Sequence, residues 1–123
     1  MGNSIILTKH HPSELSNIEK AEAYQISLLG GPTGEQRVKE QHGWWNEKDQ
    51  KPEFLATTFE PEHPLPFEEA RRVYIEQITV RALQGFLYSR SFSFLENRFV
   101  YRDLRDVPGL KEALAAKQRV AQP

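Results

Sequence analysis

Apolar residues alternate in some stretches of the chain and recur every three to four residues in others. The two periods predict strands and helices respectively. Ser4 to Lys9 is a short β-branched run, Ile5-Ile6-Leu7 at its centre, and predicts a strand. His10-His11-Pro12 closes it, because proline disfavours helix at the residue before it. From Leu15 to Leu29 the residues Leu15, Ile18, Ala21, Ile26, Leu28 and Leu29 gather on one helical arc, interrupted by Glu22 and Gln25. Ser16 and Glu19 have the spacing of a capping box, and Gly30-Gly31-Pro32 reads as a stop, so a helix is expected there.

Residues 30–53 read as a polar, loop-rich segment. Thr33-Gly34-Glu35-Gln36 fits the start of a short exposed helix ending before Gly43, with Val38 its one large apolar residue. Trp44 and Trp45 stand out in that setting. Glu53 to Phe59 has strand composition, and Pro61, Pro64 and Pro66 follow as an extended linker.

Phe67 to Tyr88 predicts the strongest helix, with Pro66 at its start and Glu68 and Glu69 in the first turn, where the helix dipole favours anions. Over residues 67–88 it would run roughly 33 Å, close to the roughly 35 Å width of a globule of this length. Tyr74, Ile75, Ile78, Ala82 and Phe86 form one apolar stripe, and Val73, Val80, Leu83 and Leu87 a second. Leaving the second stripe in water forgoes ~1.5–3 kcal/mol per large side chain, so both are expected to be covered. The N-terminal helix, a second copy of the chain in a homodimer through helix 67–88, or another protein would cover the second stripe.

Residues 90–103 alternate. A two-residue turn at Glu96-Asn97 would set Phe94 opposite Phe99 and Phe92 opposite Tyr101. Tyr88, Phe92, Leu95 and Phe99 also fit helical spacing, but Gly85 and the interleaved serines favour the hairpin. A last helix opens at Pro108-Gly109-Leu110, runs to about Gln118, and leaves 119–123 as a frayed tail. The expected architecture is therefore one α+β domain over 1–123. A small antiparallel sheet, including the 54–59 strand and a 90–103 hairpin, packs on a long central helix 67–88 with two shorter flanking helices.

Composition narrows the chemistry. The chain has 123 residues, no cysteine and a net charge of −1, with hydrophobic residues at 38%. That excludes a disulfide framework, a thiolate nucleophile and pervasive disorder. No apolar run approaches the ~20 residues of a membrane span and no signal-peptide pattern opens the chain, so a soluble cytoplasmic protein without membrane association is expected. Gly30-Gly31-Pro32-Thr33-Gly34 lacks the Lys-Ser/Thr pair of a phosphate loop, and Glu35 would repel phosphate. His10, His11, His42 and His63 show no metal-ligand spacing. Glu47, Asp49, Lys51 and Glu53 are close in sequence but fall in the polar segment, which offers no rigid support for a nuclease site. No catalytic residue, cofactor or metal is therefore assigned.

Charge is divided along the chain. Residues 1–80 hold 8 basic and 13 acidic side chains, and residues 81–123 hold 8 basic and 4 acidic. The best-supported reading is a small non-catalytic protein-binding module, an inhibitor, adaptor or assembly factor. Trp44, Trp45 and Arg37 in the polar segment 33–53 would form its contact surface, because Trp and Arg dominate interface energetics. Arg81 lies on the polar strip of the long helix, with Gln77 and Gln84. The alternative is single-stranded RNA or DNA, held by Arg90, Arg98 and Arg102 beside Phe92, Phe94, Phe99 and Tyr101. Against it, the hairpin register sets Arg98 and Arg102 on the face opposite the aromatics.

Overall fold

The computed structural model describes residues 2–15, 17–30 and 34–121. In chain order the elements are β1 (Gly2–Thr8), α1 (Pro12–Leu15), β2 (Lys20–Gly30), β3 (Gln36–Asn46), β4 (Lys51–Phe59), α2 (Phe67–Leu83), β5 (Tyr88–Ser93), β6 (Arg98–Asp103) and α3 (Leu110–Ala121). A single 3-10 turn, Leu104–Asp106, joins β6 to α3. The strands form one antiparallel sheet in the order β4-β3-β2-β1-β5-β6.

The sheet is strongly curled. The rings of Trp45 on β3 and Phe99 on β6 meet edge to face at 4.9 Å. Four strand spacings separate those strands, roughly 19 Å across a flat sheet. The curl is permitted by Ala21 and Ala23, both buried on β2, whose small side chains leave room for the indole above them. Ile6, Leu15 and Trp45 join them in a core on this concave face, with Ile18 and Phe99 packed alongside.

The opposite face carries α2 and α3. Leu7 and Ile26 are fully buried there with Ile78, Ala82, Phe86, Leu104, Leu110 and Leu114. Leu28, Val38 and Ala70 make a smaller cluster near the start of α2. A backbone bridge between Gln36 and Leu65 fixes the linker that brings α2 over the sheet.

The architecture corrects the expected one. The protein is mostly curled sheet, and α2 covers one side of it instead of forming a central axis. The helix expected over Leu15–Leu29 is largely β2: Ala21 and Ala23 point to the concave core while Ile26 and Leu28 point toward α2. Burial on both faces breaks the simple alternation of a strand, and the helix-forming alanines complete a false arc. Ser16 lies outside the described residues, as do residues 31–33. The segment read as polar loop is strand β3, paired with β2 over eleven residue pairs and with β4 on its other side.

Helix α2 begins where expected but ends at Leu83. Gly85 has φ 102°, its N–H donates to the Ala82 carbonyl, and the Phe86 N–H reaches back to the Arg81 carbonyl. That left-handed glycine cap terminates the helix. Within the chain the two stripes are only partly covered: Ile75 and Leu83 remain 46% and 37% exposed. The 90–103 hairpin forms, with a register of Phe92 opposite Phe99 and Arg90 opposite Tyr101 around a longer 94–97 turn. Asn97 adopts φ 53°, a conformation asparagine tolerates. Helix α3 continues to Ala121, and the rest of the expected tail lies outside the described residues. None of the helices among the described residues is long and apolar enough to cross a membrane.

Candidate functional site

The hairpin register carries Arg90 into the interior. Opposite Ile6 on one side and Tyr101 on the other, it points to the concave face and is 1% exposed. Its Cζ lies 4.2 Å from the Trp45 ring and 4.3 Å from the Tyr101 ring, so the guanidinium contacts two aromatic rings. Such a desolvated cation–π contact contributes ~2 kcal/mol.

Arg90 Nη2 donates to Glu47 Oε2 at 3.2 Å, and Trp45 Nε1 donates to the same oxygen at 2.8 Å. Glu47 Oε1 is occupied by Gln50 Nε2 at 3.0 Å. Arg90 Nε and Nη1 are buried and have no hydrogen-bond partner. Each unpaired buried donor costs ~1–3 kcal/mol. Burial lowers the pKa of the guanidinium from its ordinary value, against the opposing pull of Tyr101 and Glu47.

Strands β1 and β5 pair only from Ile6 to Thr8 and then part. The gap opens a cavity of about 780 Å³, lined by Arg90, Gln25, Ser4 and the rings of Phe92, Phe94 and Phe99. On the helix side a second cavity, about 660 Å³, is walled by Ile78, Val100, Leu104, Leu110 and Ala113. Ile5, Tyr74 and Ser91 line both. Burial pushes the Tyr74 hydroxyl up to about 12.

The β5–β6 hairpin ends the sheet. At its tip Phe94 is 89% and Leu95 97% exposed. Phe92 packs edge to face on both Phe94 and Phe99, at 5.0 and 5.2 Å. Arg98 and Arg102 lie together on the other face of β6, both exposed. Arg98 meets Glu96 at 3.5 Å, and no carboxylate among the described residues pairs with Arg102.

The remaining sequence candidates are dispersed. Trp45 is fully buried, so it offers no surface to a partner. Trp44 is half-buried on the opposite face of β3; its Nε1 donates to Glu53 Oε2, and Lys20 Nζ sits 5.1 Å from its ring. Arg37 is exposed near the start of β3. Arg81, expected on a solvated strip, binds the fully buried Glu40 through Nε at 3.0 Å and Nη2 at 2.7 Å. Its Cζ also stacks 3.9 Å from the Tyr24 ring. Of the residues named from sequence, the structure thus brings together Trp45 with Arg90 and Arg98 with Arg102.

Glu40 is not among the sequence candidates, while Glu47 enters there only in an acidic run and Tyr101 only as a hairpin aromatic, neither as a partner of Arg90. Tyr101 was legible as an alternating position of the hairpin, but its partnership with Arg90 needs the true register. Glu40 gives no sequence signal beyond being a charge beside Val38. Asp49 and Glu53 meet at Asn46, whose Nδ2 donates to Asp49 at 3.1 Å and to Glu53 at 3.2 Å, while Glu47 turns instead to Trp45, Gln50 and Arg90. These bonds shape the β3–β4 turn. The chain matches no protein-family model, no curated protein and no solved structure.

Proposed function

We propose that the chain is a protein-binding module, an inhibitor, adaptor or assembly factor, that engages its partner through the β5–β6 hairpin. The observation that carries this reading is the near-complete exposure of Phe94 and Leu95 at the tip of an edge hairpin. Two large apolar side chains held in water forgo ~1.5–3 kcal/mol each, which covering them would recover. The two sheet edges also differ. Pro52 and two register irregularities interrupt β4, devices that discourage strand addition. Strand β6 has neither, and its outer edge pairs with no strand among the described residues.

Charge selects the partner. Two copies joined edge to edge along β6 would set arginines against arginines, which is destabilising across a strand pair. An acidic strand meets Arg98 and Arg102 favourably, and its backbone completes the ladder. The partner is therefore a protein offering an acidic extended segment flanked by apolar surface.

Selection of a random peptide display library on the immobilised protein tests this. Enriched sequences should alternate Asp or Glu with β-branched residues, and a Phe94→Ser/Leu95→Ser variant should lose them while unfolding with unchanged cooperativity. Basic or proline-rich winners, or enrichment indifferent to the variant, would overturn it. Salt-sensitive retention of single-stranded oligonucleotides in a parallel arm would support nucleic acid instead, and concentration-dependent dimerisation through exposed Ile75 and Leu83 would support self-association.

A further inference from the structure

We propose that the cavity between β1 and β5 binds a small planar organic anion, an aromatic carboxylate, whose charged end meets Arg90 and whose ring lies among Phe92, Phe94 and Phe99. Three independent features converge on this. First, Arg90 is 1% exposed and lines the cavity, yet two of its nitrogens, Nε and Nη1, lack acceptors. Its protein acceptor, Glu47, has both oxygens already engaged, by Trp45 and Arg90 on one and Gln50 on the other. The acceptors the guanidinium lacks are what a ligand carboxylate supplies, because a carboxylate only accepts and Arg only donates.

Second, the walls select the rest of the ligand. Phe92, Phe94, Phe99 and Tyr74 contribute rings to them, and rings pair edge to face or offset with rings. Gln25 and Ser4, joined by a 2.6 Å hydrogen bond, add polar groups to the lining. Third, the volume of about 780 Å³ falls within the ~300–1,000 Å³ usual for small-molecule sites, which pair an apolar lining with few polar groups. The β1–β5 divergence that creates the space is a property of the backbone, since pairing stops at Ile6 and Arg90.

Naphthoate, its neutral amide and inorganic phosphate are the probes, followed by backbone amide shifts and by equilibrium dialysis on the full chain. Naphthoate should bind saturably and shift Ser4, Gln25 and Ser91, and the neutral amide should bind at least about tenfold more weakly. Arg90→Gln should abolish the difference between the two. Should that variant unfold, Ser4→Phe, at an exposed position of the lining, should block naphthoate while leaving the fold intact. Equal binding of acid and amide, phosphate binding as tight as naphthoate, or shifts confined to surface residues elsewhere would each overturn the proposal.

Discussion

Both carboxylate oxygens of Glu40 on β3 take hydrogen bonds from the single guanidinium of Arg81 on α2, at 2.7 and 3.0 Å. Thr58 Oγ1 donates to Glu40 Oε1 at 2.7 Å and Gln77 Nε2 to Oε2 at 3.5 Å. The pair ties the helix to the sheet beside the core of Ile26, Ile78 and Ala82. Removing one partner strands a buried charge, whereas removing both does not. Arg81→Met should therefore cost ~3–5 kcal/mol in denaturant unfolding, and Arg81→Met combined with Glu40→Met should cost clearly less than the two single changes together. Additive losses would contradict the tether.

That pair also explains why much of the sheet was illegible. A strand facing a helix normally announces itself with apolar side chains, but β3 meets α2 partly through Glu40, and its His42 stacks on Tyr24 of β2 at 4.6 Å. Its polarity made it read as loop. Strand β2 was obscured for the opposite reason, because small or apolar residues point to both of its faces. Strands β1 and β4, the start of α2, the hairpin and α3 were readable because each carries a local signal: a β-branched run, a proline, a first-turn acid or an alternation. The Arg90 cluster was half legible. Arg90 and Trp45 were singled out, but only a curled sheet brings them together, and no local pattern encodes that curl.

Acid sensitivity follows from two carboxylates. A hydrogen bond from Trp44, with further help from Asn46 and Lys20, holds Glu53 below its ordinary value of 4.5. The Arg105 guanidinium does the same for Asp103. A depressed folded pKa stabilises the fold above the unfolded value and loses that contribution as pH falls through the folded one. The thermal midpoint should thus drop on acidification below the ordinary carboxylate range, and Glu53→Gln and Asp103→Asn should each flatten that acid limb.

Tyr74 works at the other end of the scale. Its hydroxyl is raised from 10.0 to about 12 by burial, so the unfolded chain ionises first. Its contribution is complete below 10.0 and declines as pH rises toward about 12. Tyr74→Phe should remove this alkaline loss, and absorbance titration of the native protein should show Tyr74 ionising well after the exposed tyrosines.

The central claim is that the outer edge of β6 is the partner-binding edge. Backbone amide exchange, measured with and without an alternating Glu–Val peptide, tests it most directly. Exchange should slow at alternate residues of Arg98–Asp103 and stay unchanged along β4, and a Lys–Val peptide should have no effect. Slowing along β4 or α2 instead, or an equal response to the basic peptide, would contradict it.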